Sequence, residues 1–402
     1  MGDLSTAERD TLDRIAAEPM LAEVESWSAI NSGSGNLEGL AQVAAALADS
    51  FSHLPGDLKL VDPTPVTAVE PSGVVREIAH GRNLHLSVRP EASVQLLFTG
   101  HMDTVYGADH PFQQVAWKDK GVLGGPGVAD MKGGLSVLLA ALRAVEASPN
   151  ASRLGYEVVI NSDEEVGSPG SAALLAAAAR GKRAALTYEP SALPDGTLAG
   201  ARPGSGNFSF VITGRSAHAG RNPEDGRNAV VAASDLALRL DAAKRDGLSV
   251  NVARVDGGGP NNVVPDHAVL RVNLRPRTRE LQAEAQAAID AAVAETAARH
   301  DVTVHAHGGF GRPPKPLSQQ AEQLFALIQR AGADLGQPIR WQPSGGVCDG
   351  NNIAACGVPV VDTMGVRGGK IHSMEEYLIV DSLAERAALS ALTILRLTAE
   401  AA

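Results

Sequence analysis

Five short segments of this chain carry side chains that can bind cations or move protons, each beside glycines or at the end of an apolar run. The first is Gly100-His101-Met102-Asp103-Thr104-Val105, which follows the apolar run Ser93 to Thr99. A histidine at a strand's carboxyl end lies where open α/β sheets bind ligands, and Asp103 can accept a hydrogen bond from the ring nitrogen turned away from a metal. A loop histidine beside a turn aspartate is the plainer reading of the same residues. In the second segment, Gly124 to Gly134, Asp130 stands at the entry to a helix. It can serve as a cap, yet the glycines on both sides also let the backbone approach a ligand closely, which a cap does not require. The third, Asn161-Ser162-Asp163-Glu164-Glu165-Val166-Gly167-Ser168, sets three acids side by side at a sheet edge, where they repel unless cations neutralise them or water solvates the turn. Glu189, just before Pro190, and His372, in Gly368-Gly369-Lys370-Ile371-His372-Ser373, complete the series.

Together His101, Asp130, Glu165, Glu189 and His372 form a mixed imidazole and carboxylate set. Such ligands suit a pair of zinc ions, with one bridging carboxylate and one histidine plus one acid for each ion. Two bound ions polarise a carbonyl and steady an oxyanion, while a glutamate left free of metal can carry the proton.

The elements that must position these residues follow from the apolar pattern. Asn36 to Phe51 is spaced as a helix, Ser93 to Thr99 as a strand, Met131 to Ala147 as a helix and Leu154 to Asn161 as a strand. Ser168 to Arg180 follows as a helix and Ala184 to Tyr188 as a strand, an alternation that predicts an α/β fold with a mixed, mostly parallel sheet. Past the Gly- and Pro-bearing stretch Pro194 to Gly206 the pattern changes. Strands at Asn207 to Thr213, Ser249 to Val255, Ala268 to Leu274 and Val302 to Ala306, with helices at Arg227 to Lys244 and Arg279 to Arg299, give the order β-α-β-β-α-β of a ferredoxin-like α+β unit. Gly308 to Pro316 reads as the linker back, and the first unit resumes with a strand at Gly357 to Asp362 and a helix at Asp381 to Glu400. The division expected is therefore 1–202 with 314–402 as the cation-binding domain, and 203–313 inserted into it.

Bulk properties exclude several functions. At 402 residues two domains are expected, and no apolar run approaches the ~20 residues of a membrane span. A net charge of −11 argues against nucleic acid or an anionic membrane as partner. Met1 to Asp10 has acidic residues and no apolar core of a signal peptide, so a cytoplasmic location is expected. Cys348 and Cys356 are too few for a disulfide framework or a thiolate zinc site and read as free thiols.

The order and surroundings of these motifs resemble the dinuclear zinc peptidases and deacylases that include glutamate carboxypeptidase, acetylornithine deacetylase and succinyl-diaminopimelate desuccinylase, over nearly the whole chain. The resemblance implies His101 and Glu189 as ligands of one zinc, Glu165 and His372 of the other, and Asp130 as the bridge. It implies Glu164 as general base and Asp103 as the residue orienting His101. It also makes the inserted domain a lid and dimerisation domain, whose His218, in Ser216-Ala217-His218-Ala219-Gly220, reaches a partner subunit's active site. Asn262, in Pro260-Asn261-Asn262-Val263-Val264-Pro265, and Arg275, in Val272-Asn273-Leu274-Arg275-Pro276, match substrate-binding positions, as does Gly346 in the loop Ser344 to Gly350. Within that loop Cys348 stands where a small hydroxyl residue is expected.

On this resemblance the chain is expected to hold two divalent ions, zinc or else cobalt or manganese, and to act as a homodimer on a small acyl amino acid or short peptide. Arg275, whose planar fork fits a carboxylate, favours cleavage of an amide to an amino acid with a free carboxylate, by a carboxypeptidase or N-acyl-amino-acid amidohydrolase. Glu189 points the same way, since aminopeptidase and dipeptidase relatives tend to place aspartate there. An aminopeptidase or dipeptidase is the alternative, and a catalytically silent binding protein of the same fold is a third reading.

Overall fold

The computed structural model describes residues 4–399. Residues 1–3 and 400–402 of the expected first domain, with Glu400 of the expected last helix, lie outside the described residues.

The central sheet has six strands, in the order Asp57–Val61, Asn83–Val88, Leu154–Asn161, Val94–His101, Ala184–Thr187 and Val360–Val361. The first two pairings are antiparallel and the other three parallel, so the sheet is mixed and mostly parallel as expected. Strand Val94–His101 lies in the middle with nearly every side chain buried, which explains why its sequence is a continuous apolar run. Alternate residues serve opposite faces. Leu96 and Phe98 enter the main core, where Gly134–Glu146, Asp381–Ala399 and Leu37–Phe51 pack. Leu97 points the other way, to a smaller cluster with Leu175 of Ala172–Ala179 and Ile353 of Asp349–Ala355. Burying side chains of this size contributes roughly 1.5–3 kcal/mol each. No helix among the described residues is long and apolar enough to cross a membrane.

A separate antiparallel sheet of four strands runs Leu248–Gly257, His267–Pro276, Ser205–Thr213, Thr303–Arg312. Helices Ala229–Asp241 and Arg279–His300 cover one face, closing a core of Phe208, Phe210, Ile212, Leu236, Leu270 and Ile289. This is the ferredoxin-like order expected. One boundary differs: Gly308 to Arg312 belong to a strand, not to the linker. Gly308 sits at φ +91 with Asn207 O so close that a Cβ would stand 2.1 Å from it, so the glycine is there for close strand packing.

The parallel register fixes the site. His101 stands opposite Asn161, Thr99 opposite Thr187, and Leu186 opposite Val361. The carboxyl ends of four strands therefore come together at one edge, and the segments beginning at Met102, Ser162, Tyr188 and Asp362 leave the sheet there.

Candidate metal centre

His101 is the last residue of its strand and is buried. Its Nδ1 lies 3.0 Å from the carbonyl of Asp103 and 3.4 Å from that residue's Oδ1, so the nearer orienting group is the Asp103 backbone. The Asp103 carboxylate is turned mainly to another task. Its Oδ1 accepts from the amide of Glu164 at 3.1 Å, while Oδ2 accepts from the amide of Glu165 at 3.1 Å and the hydroxyl of Ser34 at 2.7 Å. Asp103 thus shapes the turn that presents both glutamates.

Asp130 sits in the kinked turn Val128–Gly133, which delays the expected helix until Gly134. The turn is pinned by Glu376, whose Oε1 accepts from the amides of Ala129 and Asp130 at 3.0 and 3.1 Å. Tyr106 donates to the other oxygen of Glu376 at 2.9 Å. Gly134 passes so close to Tyr188 O that a Cβ would stand 1.9 Å away, which brings the Asp130 turn against the strand end carrying Glu189.

The two oxygens of Asp130 face different histidines. Oδ1 is 3.1 Å from His101 Nε2, and Oδ2 is 3.3 Å from His372 Nε2. Glu189 Oε2 stands 3.7 Å from His101 Nε2, and Glu165 Oε2 stands 3.1 Å from His372 Nε2. The sequence-predicted set is therefore brought together as two halves, His101 with Glu189 and His372 with Glu165, with Asp130 between them. His372 is held at φ 60, in the left-handed region a side chain adopts only under constraint from its surroundings.

These groups suit cations. Glu189 Oε1 is buried without a hydrogen-bond partner among the described residues, an atom that a cation would satisfy. Potential ligand atoms of His101, Asp130 and Glu165 lie within 4.8 Å of one another, as do those of His101, Glu164 and Glu189. Burial, together with the neighbouring carboxylates, raises Glu165 to about 7 and Glu189 to about 8. Hydrogen bonds to Asp130 and Glu165 raise His372 to about 11, and burial opposes charge on His101 although Glu189, Asp103 and Asp130 still raise it well above the ordinary imidazole value. The cluster is short of positive charge, which protons or divalent cations can supply.

Glu164 belongs to the same cluster. Burial raises its pKa to about 8 against the opposing charge of Arg312, whose Nη2 lies 2.6 Å from Oε1.

A cavity of about 310 Å³ adjoins the centre, lined by Glu164, Glu165, Arg202, Ser344, Gly346 and Cys348 among others. Arg202 grips Asp362 with two bonds of 2.8 and 3.0 Å and donates to Gly346 O at 3.0 Å, fixing the glycine loop. Arg275, on the exposed end of its strand, donates to Gly345 O at 3.2 Å and so reaches the same loop. Cys348 is buried in the cavity wall, and Cys356 is exposed.

His218 and Asn262 are not brought to the cluster. Both are exposed on the four-stranded unit, joined by the hydrogen bond from Ala219 N to Asn262 O at 2.9 Å. His218 Nδ1 accepts from the amides of Gly220 and Arg221, which places its proton on Nε2 and leaves that atom as a donor. Sequence reasoning missed Arg202, Arg312, Asp349 and Glu376. Each is joined to the site by contacts across more than a hundred residues; Asp349 and Glu376 lie in or beside the loops of Gly346 and His372, but nothing in those loops marks a role for them, and no local motif surrounds Arg202 or Arg312.

Comparison with known proteins agrees with this architecture. Residues 97–396 match the model of peptidase family M20/M25/M40. Carboxypeptidase G2 of Pseudomonas sp. (strain RS-16) is 31% identical over 394 residues, covering 94% of this chain and 89% of the relative. Succinyl-diaminopimelate desuccinylase of Psychrobacter arcticus is 28% identical over 313 residues, covering 72% of this chain and 74% of the relative. Aminopeptidase PepT from Bacillus cereus shares the fold, with a TM-score of 0.68 and 22% identity over 96% of this chain and 98% of its own. Fold and site together define a metal-dependent hydrolytic enzyme. The chain belongs to peptidase family M20/M25/M40.

Proposed function

We propose that the protein cleaves the amide bond to an amino acid bearing a free carboxylate, as a carboxypeptidase or N-acyl-amino-acid amidohydrolase with two zinc ions. The observation that carries this reading is Asp130, whose two oxygens face two histidines, each with its own glutamate. His101 with Glu189 would hold one ion, His372 with Glu165 the other, and Asp130 both. When bound, the ions supply Lewis-acid polarisation of the scissile carbonyl and a lowered pKa for the attacking water.

The chain's own residues do the rest. Glu164 takes the proton from that water and returns it to the leaving nitrogen, a task favoured by a carboxyl with a pKa near neutrality. The substrate carboxylate binds at the loop around Gly346, where Arg275 supplies charge. Residues 203–313 act as a lid that closes over the centre and as the contact between two copies. His218 and Asn262 then come from the partner copy, with Nε2 of His218 donating to the oxyanion. Two free cysteines suit a reducing, cytoplasmic setting.

The test is a screen of N-acyl amino acids beside free dipeptides, using enzyme loaded with zinc. Acyl amino acids should be hydrolysed, and Glu164→Gln should lower kcat by roughly 10²–10⁴-fold while both metals remain bound. Turnover of dipeptides alone would favour the aminopeptidase or dipeptidase reading. No bound metal and no amide hydrolysis would leave only a binding role.

A further inference from the structure

The strand Thr303–Arg312 of the four-stranded unit ends in an arginine that leaves its own sheet and enters the candidate centre. Arg312 is 3% exposed. Its Nη2 donates to Glu164 Oε1 at 2.6 Å, to the backbone carbonyl of Glu164 at 3.1 Å and to Ser168 Oγ at 3.0 Å. Its Nη1 donates to Asp349 Oδ1 at 2.7 Å and Asn352 Oδ1 at 2.9 Å. These two nitrogens make more bonds than they have N–H groups, so they offer no donor to a substrate carboxylate. One guanidinium therefore ties the lid strand, the glutamate turn and the helix that follows the glycine loop.

We propose that Arg312 is the positioning residue of Glu164. This rests on the reading of Glu164 as general base. A glutamate side chain turns about several bonds, and a base misplaced by about 1 Å can lose on the order of 10²-fold in rate. By holding Oε1 and the backbone carbonyl of the same residue, Arg312 fixes the carboxylate plane and leaves Oε2 as the oxygen that exchanges the proton. A lysine cannot do this, because a single ammonium point cannot span Glu164, Ser168 and Asp349 as the planar fork does. Because Arg312 closes a strand of the four-stranded unit, the aim of the base also follows the placement of that unit.

The test uses the full chain with its metals and the best substrate from the acyl amino acid screen. Arg312→Met should lower kcat about 10²-fold, with KM within about twofold and metal content unchanged. Millimolar ethylguanidinium should restore part of kcat, and Arg312→Lys should recover less than that addition does. In a Glu164→Gln background, Arg312→Met should cost almost nothing more, since the group it aims is already gone. A dominant rise in KM would show a substrate-binding arginine and overturn the proposal, as would an unchanged kcat or an equal loss in both backgrounds. If Arg312→Met does not fold, Arg312→Lys is read in its place, with kcat lowered on the order of 10²-fold, KM within about twofold, and almost no further loss in the Glu164→Gln background. Full turnover by Glu164→Gln alone would refute the general-base reading, a result visible before any Arg312 variant is made.

Discussion

Asp362 offers a quantitative test of what holds the glycine loop around Gly346. It lies at the end of strand Val360–Val361, fully buried, with Arg202 bound through two bonds and Lys315 Nζ at 2.8 Å. Burial alone would raise its pKa, but the two cations outweigh that and hold it at about 2, against an ordinary 3.8. The displacement corresponds to about 2 kcal/mol of stability at neutral pH. Because the folded value is depressed, this contribution is present above pH 3.8 and is lost as pH falls toward 2. Asp362→Asn removes it outright and leaves two buried cations without a counter-charge, for a total cost of about 3–5 kcal/mol. It also frees Arg202, whose Nη1 holds Gly346 O, so KM should rise more than kcat falls. Urea midpoints of both proteins, measured from pH 7 to pH 2, would show a gap that narrows at the acid end. A variant as stable as the parent at pH 7, or a gap constant down to pH 2, would refute the reasoning.

Other expectations follow from the same geometry. Gly134→Ala would drive a methyl into Tyr188 O, at a cost of about 1–3 kcal/mol. Since Glu189 is the next residue, bound metal should fall with it in elemental analysis. Chelation of the loaded enzyme should remove about 2.7 kcal/mol per site at a free metal concentration 100 times Kd. A melting midpoint indifferent to chelator would count against a cation centre. Cys348 is buried and its thiol is pushed well above the usual range by that burial, whereas Cys356 is exposed. A thiol reagent should therefore titrate one cysteine quickly in the native protein and the second only in denaturant.

The candidate metal-binding set was legible because its first members sit in local patterns of their own: an apolar run ending in glycine and histidine, a glycine-dense turn, an acidic triplet. Chemistry at a strand end demands fixed residue types, and the parallel register then gathers them without further instruction. The residues that aim this set obey no such rule. Arg312 lies in a run of Gly308, Gly309 and Gly311 whose composition signals a linker, yet the ladder to Ser205–Thr213 keeps it extended. Arg202 stands in a Pro- and Gly-bearing stretch and finds Asp362 at a separation of 160 residues. Asp103 gains a second role for the same reason: its spacing from His101 suggested a partner for the ring, which its carboxylate approaches at 3.4 Å, while the amides of Glu164 and Glu165 reach it only once two strands lie side by side. Such a carboxylate or guanidinium can be recruited from wherever the fold brings the chain past, because a buried charge needs only a partner in reach and not a particular neighbour in sequence. It follows that substitutions at Arg202, Arg312 and Asp362 should alter rate or affinity while leaving metal content intact, whereas substitutions at Asp130 should lose the metals first.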